Sequence, residues 1–208
     1  MLYKEYGVPH GTIEKYIELL LMWNKKTNLI SAGTERELIE RHILDSLQLK
    51  KFIEEDRVVF DVGSGAGFPG LMLSYAGAKK INLVEVNKKK ASFLITAAAL
   101  SEHEVKVHDY SICEMESNIC DVVTARGVAS LERIFELTYH LIHPRTKYFL
   151  LKGKNIEHEI KNALEKWKFK YIIHPSKTSE EGCILEVEQL EKNEQKNYCS
   201  SESEGRSR

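Results

Sequence analysis

Cysteines are scarce in this 208-residue sequence and are not arranged for metal binding or cross-linking. No two of the four form a C-x-x-C pair, and no histidine cluster stands beside them; they are Cys113, Cys120, Cys183 and Cys199. Zinc sites and disulfide frameworks depend on such spacings. We therefore expect reduced thiols, no metal site and a cytoplasmic protein.

Long apolar runs are lacking as well. The N-terminal stretch carries charges where a signal peptide would need apolar residues. The longest apolar run near it, 19–23, is far shorter than the roughly 20 residues that cross a bilayer. We therefore expect no membrane association.

An excess of basic residues is also missing, since 30 Lys and Arg residues stand against 31 Asp and Glu residues, for a net charge of -1. Nucleic-acid-binding proteins often carry such an excess because contacts to phosphates dominate their affinity. The overall charge therefore does not support RNA binding, which would have to depend on local groups. Local lysine clusters occur at 25–26, 79–80 and 88–90.

The sequence does contain a regular alternation of short apolar runs and amphipathic segments after residue 57. Runs typical of strands occur at 58–60, 81–84, 105–107, 119–123 and 148–151. Helical patterns occur between them at 68–76, 88–100, 130–141 and 155–167. This alternation predicts an α/β fold, with a mostly parallel sheet and helices on both faces. Two further strands, 168–174 and 183–189, have no helix between them and predict a closing antiparallel hairpin.

The flanking regions differ from this alternation. Residues 1–56 are expected to form a helical extension, with one helix over 12–26 and a second opened by a capping box at Thr34 and Glu37. Residues 57–190 are expected to form the main domain. The polar tail 191–208 has hardly any large apolar residues and is expected to be disordered.

A glycine-rich loop follows the first predicted strand, with the sequence Asp61-Val-Gly63-Ser-Gly65-Ala-Gly67-Phe68-Pro-Gly70. Glycines allow tight turns and a close approach of the backbone to a ligand, and the next helix directs free N–H groups there. Glu85 ends the second predicted strand, 20 residues after Gly65, where a carboxylate can accept hydrogen bonds from ribose hydroxyls. This combination predicts a nucleoside-containing cofactor.

Two cofactors fit the loop. Residues 65–70 match the G-x-G-x-x-G pattern of dinucleotide-binding proteins, whereas residues 61–67 match the acid-glycine loop of enzymes that use S-adenosylmethionine. Little sequence remains after residue 190 for the substrate domain of a dehydrogenase, so S-adenosylmethionine is favoured. A nucleotide-binding regulatory module without turnover remains an alternative.

Several polar residues are candidates for handling the methyl acceptor. Arg126 ends the fourth predicted strand, and its guanidinium can hold a phosphate, a carboxylate or a guanine edge; a salt-bridged surface arginine is the alternative. Lys152 follows the fifth strand and would face the same side of the sheet. His42 and Asp45 lie three residues apart on one helical side, as a structural pair or as part of a pocket lining.

The order of these motifs resembles a known family. The blocks that carry the resemblance are Asn24-Lys-x-x-Asn28-Leu29, Arg41-His-Ile-Leu-Asp-Ser46, the loop 61–70, Arg126-Gly-Val-Ala-Ser130 and Leu151-Lys-Gly153. Over roughly residues 10–190 they resemble the RsmG family (glucose-inhibited division protein B), which methylates N7 of one guanine, guanine 527, in bacterial 16S ribosomal RNA.

The resemblance implies a class I S-adenosylmethionine-dependent methyltransferase with 16S ribosomal RNA or the small ribosomal subunit as its partner, acting as a monomer. A methyltransferase of another RNA base or a small molecule remains an alternative. The family often has Glu where Ile112 stands, so recognition at 112 would use the backbone or the nearby acids Asp109 or Glu114. Residues expected to bind the cofactor are Asp61, Gly63, Gly65, Gly67, Phe68, Glu85, Ser111, Ile112 and Arg126.

Methylation of guanine N7 requires no general base, because N7 is a lone pair without a proton. Catalysis would then arise mainly from proximity and alignment, which is worth up to roughly 7–11 kcal/mol in well-oriented systems. Arg126 and Lys152 are the expected catalytic residues and would position the base or its phosphates. Arg41, His42 and Lys152 are the expected substrate contacts.

Overall fold

The structure is a computed structural model that describes residues 5–31, 33, 37–117 and 119–193. Its centre is a seven-stranded sheet in the order β3-β2-β1-β4-β5-β7-β6. The strands are β1 Val58–Val62, β2 Lys80–Val84, β3 Glu104–His108, β4 Cys120–Arg126, β5 Ile142–Lys152, β6 Trp167–Pro175 and β7 Cys183–Lys192. The helices packed on the sheet include α3 Gly70–Tyr75, α4 Lys88–Ala98, α5 Leu131–Thr138 and α6 Ile156–Leu164.

The first five strands are parallel, and β7 pairs antiparallel with both β5 and β6. The predicted α/β class and the closing hairpin are confirmed. The position of β7 adds a feature that the sequence pattern did not indicate, because this last strand lies between β5 and β6 and leaves β6 at the edge.

Side chains alternate between two hydrophobic clusters along the strands, as expected from the period of two. Val59 and Leu151 belong to the cluster that includes the N-terminal helices, α3 and α4. Phe60 and Leu150 belong to the cluster that includes α5 and α6. The sheet therefore has helices on both faces, and the N-terminal helical region shares its core with one of them.

Helix α1, Thr12–Thr27, forms because apolar residues recur at helical spacing on one side. Ile13, Tyr16 and Leu20 are completely buried. The Tyr16 hydroxyl donates a hydrogen bond of 2.5 Å to the backbone oxygen of Ala66 in the glycine-rich loop. Helix α1 therefore helps to hold the glycine-rich loop in place through this hydrogen bond.

The second predicted helix is present over 39–52, but only a short central part of it is α-helical. It begins with a π-helical turn at Ile39–Leu44, continues as α-helix at Asp45–Leu47 and ends as a 3-10 helix at Gln48–Phe52; we refer to the whole segment as α2. Backbone carbonyl groups of the π turn accept hydrogen bonds from side chains. The Ser46 hydroxyl donates to the carbonyl of His42, and the Arg126 guanidinium donates to the carbonyl of Arg41. Thr34 of the predicted capping box lies outside the described residues.

At its C-terminal end, β7 continues to Lys192, so the prediction of a disordered tail from residue 191 is wrong for 191 and 192, which pair with β6. Residues 194–208 of that prediction lie outside the described part of the chain. None of the helices in the described part is long and apolar enough to span a lipid bilayer.

Candidate active site

The glycine-rich loop lies where the strand order reverses, between β1 and its two neighbours β2 and β4. Ligands of open α/β sheets bind at this position, outside the carboxyl ends of the strands. The backbone N–H groups of Gly63 and Ser64 both donate to the carbonyl of Val84, at 2.9 and 3.1 Å. The Ser64 hydroxyl donates to the carbonyl of Asp61 and accepts from the N–H of Val84. The loop is thus folded tightly over the end of β2.

Three glycines of this loop have a positive φ, of 66° at Gly63, 58° at Gly65 and 93° at Gly67. At Gly63 a Cβ atom would lie 2.0 Å from Cγ2 of Val128, so glycine is required there for packing against the loop after β4. At Gly65 the nearest heavy atom to a Cβ would be the Gly63 carbonyl oxygen, 3.8 Å away. Space is therefore open next to Gly65 for a ligand.

Glu85 closes this space at the end of β2. One carboxylate oxygen accepts from the N–H of Gly65 at 3.0 Å, and the other accepts from the N–H of Asn87 at 2.8 Å. Each carboxylate oxygen has a second lone pair, so Glu85 can accept further hydrogen bonds from a ligand. The structure therefore brings together the acid and the loop that the sequence paired.

Asp61 was expected to contact the cofactor, but its side chain is fully buried beneath the loop. Its carboxylate accepts from the Thr124 hydroxyl at 2.9 Å and from the N–H of Gly70 at 3.2 Å. Burial raises the pKa of Asp61 to about 6, although these hydrogen bonds oppose the shift. Asp61 thus joins β1, β4 and the start of α3 and holds the loop in shape.

The loop after β3 completes this side of the site. The Ser111 hydroxyl accepts from the N–H of Cys113 and caps a short 3-10 helix, Ile112–Glu114. The side chain of Ile112 is only 4% exposed and packs with Val62 and Val84. An isoleucine at 112 is therefore accommodated as a core residue, which leaves only its backbone for ligand contacts.

Arg126, at the end of β4, lies against the residue that follows the glycines. Its Cζ atom is 4.8 Å from the centroid of the Phe68 ring. The His42 ring stacks on the same phenylalanine, with centroids 5.2 Å apart and an angle of 22° between the planes. A guanidinium nitrogen of Arg126 is 2.7 Å from Nδ1 of His42. Phe68, His42 and Arg126 therefore form one stacked group between α2 and the glycine-rich loop.

The other end of the Arg126 guanidinium is also bound to α2. It donates to the carbonyl of Arg41 at 2.9 Å and pairs with Asp45 at 3.4 Å. The Arg126 side chain is 18% exposed, and burial lowers its pKa. This arginine is thus a largely buried cation whose orientation is fixed by α2.

His42 is held in its neutral form. Burial and the neighbouring Arg126 and Arg41 lower its pKa from 6.5 to about 4. Arginine can only donate hydrogen bonds, so Nδ1 of His42 accepts from Arg126 and Nε2 carries the proton. Among the described residues, Nε2 has no hydrogen-bond partner.

Lys152 lies at the end of β5, beside Arg126 in the sheet, but its side chain is only 8% exposed. Its ammonium group donates to Glu159 at 2.7 Å and to the carbonyl of Ala129 at 2.9 Å. Glu159 also accepts from the N–H of Leu131 at 2.7 Å. Lys152 was expected to contact the substrate, but in the structure its ammonium group joins β5 to the start of α5 and to α6.

A cleft of about 400 Å³ opens at the carboxyl ends of β4 and β5. Arg126, Lys152 and the exposed Arg41 line it, so it contains three of the expected acceptor residues. Arg41 also pairs with Glu37 at 3.0 Å. The rest of the lining includes Asp45, Gly127, Leu151, Gly153, Lys154, Thr178, Ser179, Glu181, Gly182 and Cys183.

Sequence reasoning missed the contribution of the loop between β6 and β7 to this cleft. The loop, 176–182, has no motif in the sequence, and the insertion of β7 beside β5 is what brings it next to Arg126. No group of three or more potential metal ligands occurs within the described residues.

Comparisons with known proteins agree with this geometry. Residues 10–184 match the family model GidB, described as rRNA small subunit methyltransferase G. Proteins named ribosomal RNA small subunit methyltransferase G are 42% identical in Rickettsia felis and 44% identical in Rickettsia typhi, each over 189 residues. The matches cover 89% of this chain and 97% and 98% of those proteins, respectively.

Solved structures of low sequence identity share the fold. A putative S-adenosyl-L-methionine-dependent methyltransferase from Methanococcus maripaludis has a TM-score of 0.57 at 13% identity, covering 78% of this chain and 93% of that one. A TehB-like SAM-dependent methyltransferase from Corynebacterium glutamicum has a TM-score of 0.57 at 10% identity, covering 76% and 95%. The class I methyltransferase fold and the resemblance noted in the sequence are confirmed, and the chain belongs to the rRNA small subunit methyltransferase G (GidB) family.

Proposed function

We propose that this protein transfers the methyl group of S-adenosylmethionine to N7 of a guanine in 16S ribosomal RNA, which by family is guanine 527. Family membership over residues 10–184 supports the reaction class. The observation that carries the proposal is the contact between Glu85 and the N–H of Gly65, next to the space that Gly65 leaves open. A carboxylate and an open glycine loop at the strand switch point fit a nucleoside-bearing methyl donor.

The residues around this space would hold the donor in a defined orientation. Glu85 would accept hydrogen bonds from the ribose, and the backbone at Gly63, Gly65 and Gly67 would pass beneath the donor. Backbone groups of Ser111 and Ile112 would contact its base. Phe68, Arg126 and Asp61 would act mainly by fixing the loop, since each is largely buried and packed or bonded to neighbouring residues. The bound donor supplies an electrophilic methyl group.

The acceptor guanine would enter the adjacent cleft as an unpaired base, the usual mode of sequence-specific RNA recognition. Because N7 has no proton to remove, the residues of the cleft need only orient the base and exclude water. Arg126 would lie beside the base, held in place by its hydrogen bond to His42. Arg41, the more exposed cation, would contact RNA phosphates. Lys152, through its ion pair with Glu159, would hold the cleft wall formed by the ends of β5, α5 and α6 in place.

The setting of the reaction follows from the same proposal. The substrate is the ribosomal RNA, free or within the small subunit, and the enzyme would act in the cytoplasm as a monomer. Residues 57–190 would form the methyltransferase domain, and residues 1–56 would form a helical extension that supplies Arg41 and Asp45 to the cleft.

Two measurements test the proposal. Calorimetry with S-adenosylhomocysteine and with NAD should show binding of the former only; NAD binding alone would indicate an oxidoreductase. Mass spectrometry of 16S ribosomal RNA from cells with and without the protein should then show loss of one 7-methylguanosine. If cells without the protein lack a methyl group on a different base, or show no change in 16S ribosomal RNA, the assigned acceptor is wrong. Binding of the donor without any methyl transfer would indicate a regulatory module.

A further inference from the structure

The loop between β6 and β7 is held firmly against α2 although it has no regular structure. The Thr178 hydroxyl donates to Asp45 at 2.8 Å. The Gln48 side chain bonds the Ser176 hydroxyl at 3.2 Å and accepts from the N–H of Lys177 at 3.0 Å. This fixed wall of the cleft is joined to Arg126 through Asp45.

Turns within the loop fix its far end. The N–H of Ser176 donates to the carbonyl of Gly182, and the N–H of Gly182 donates to the carbonyl of Ser179, both at 3.2 Å. A Cβ atom at Gly182 would lie 3.1 Å from Cβ of Ser179, so the turn is closely packed. Glu181 lies within this turn and lines the cleft.

Glu181 differs from the other carboxylate of the cleft. Asp45 is engaged by Arg126, Gln48 and Thr178. Glu181 is exposed and has no hydrogen-bond or ion-pair partner within the part of the chain that the structure describes. An unpaired acid in a cleft that also contains arginines and lysines would weaken binding of RNA phosphates, so its presence points to a ligand group that donates hydrogen bonds.

We infer that Glu181 recognises the Watson–Crick edge of the acceptor guanine, an inference that rests on the proposed function. Guanine presents two adjacent donors on this edge, N1–H and the 2-amino group, and no other standard base does. An ionised carboxylate accepts at both oxygens and matches this pair. When N7 points to the methyl donor, the Watson–Crick edge points away from it, toward residues that line the rest of the cleft.

The same contact favours the reaction itself. Methylation of N7 gives the purine a positive charge and makes N1–H a stronger donor. The hydrogen bonds to Glu181 therefore strengthen as the transition state forms, and such interactions raise kcat as well as affinity. Glu181 is thus a specificity-determining residue that acts on the base, whereas Asp45 positions the loop.

The test combines a variant of the protein with the removal of one functional group, the 2-amino group, from the acceptor base. Small subunits reconstituted with 16S ribosomal RNA carry either guanosine or inosine at the acceptor position; inosine lacks the 2-amino group. With wild-type enzyme, we expect inosine to lower kcat/KM by about 10-fold or more. Glu181→Gln should lower kcat/KM on guanosine by about 10- to 100-fold. The preference of this variant for guanosine over inosine should largely disappear.

Glu180→Gln is the matched control, because Glu180 is the preceding glutamate and does not line the cleft; it should behave as wild type. If Glu181→Gln keeps the full preference for guanosine, or if it methylates guanosine faster than wild type, the inference is wrong. Methyl transfer by the wild-type enzyme to subunits with guanosine tests the proposed function separately. Failure of the proposed function can therefore be distinguished from failure of the inference about Glu181. Equal thermal unfolding of all variants shows that they are folded.

Discussion

Nδ1 of His42 lies 2.7 Å from a guanidinium nitrogen of Arg126, so the histidine can accept this hydrogen bond only while it is neutral. Burial, together with the charges of Arg126 and Arg41, lowers the pKa of His42 to about 4. A group whose pKa falls on folding stabilises the protein above its unfolded pKa, and this contribution is lost as the pH decreases from about 6.5 toward 4. The contact thus makes part of the stability of the site sensitive to acid.

We expect His42→Phe to remove this acid sensitivity while keeping an aromatic ring against Phe68. The difference in unfolding free energy between wild type and variant should shrink as the pH falls from 7 to 4.5. Urea denaturation across this pH range measures the difference. A difference that stays constant across this pH range for His42→Phe would contradict the lowered pKa of His42.

Asp61 is expected to give the opposite pH dependence. Its pKa rises from 3.8 to about 6 on folding, so its contribution to stability is greatest below pH 4 and is lost as the pH rises through 6. Relative to Asp61→Asn, wild type should lose up to about 3 kcal/mol of unfolding free energy between pH 4 and 7. A rise in relative stability with pH would contradict a raised pKa.

Gly65→Ala should reduce the affinity for S-adenosylmethionine much more than it reduces stability. A Cβ atom at 65 meets no heavy atom closer than 3.8 Å, so the variant should fold with only the cost of a left-handed alanine, about 1–2 kcal/mol. The added methyl group would occupy the open space beside Glu85. Gly11→Ala carries a similar strain at φ 82° at the start of α1, and calorimetry should show normal cofactor binding for it. Normal binding by Gly65→Ala would place the donor elsewhere.

Lys152→Met should destabilise the protein, since it leaves Glu159 without its cation in a partly buried position. We expect a loss of about 3–5 kcal/mol, typical of a broken buried pair. Lys152→Met combined with Glu159→Gln should recover most of this loss, as measured by thermal unfolding. Recovered methyl transfer in the double variant would indicate that Lys152 positions the cleft. A stable but inactive double variant would instead indicate the direct substrate contact first expected from the sequence.

Arg126→Lys keeps the positive charge but cannot contact His42, Arg41 and Asp45 at the same time. We expect methyl transfer to fall by about 100-fold through misalignment, while the melting temperature changes by only a few degrees. Initial rates and thermal unfolding give the two values. Arg133→Lys, on the exposed side of α5, is the control. Parallel losses of rate and stability would show that Arg126 has only a structural role.

Local sequence patterns were sufficient for the class of fold and for the cofactor loop. Short apolar runs predicted all seven strands, five from their alternation with helical patterns and two as a closing hairpin. Glycines at 63 and 65 and the acid at 85 were recognisable because the backbone conformations and the strand ends that they serve are local features.

Only the tertiary structure decided how the acceptor side is built. The insertion of β7 between β5 and β6 brings Thr178 to Asp45, 133 residues away in the chain, and places Glu181 in the cleft. Long-range packing pairs Lys152, expected as a substrate contact, with Glu159. It also buries Asp61 beneath the loop that this residue supports. Whether a charged side chain is exposed or paired depends on strand order and packing, which a local pattern does not contain.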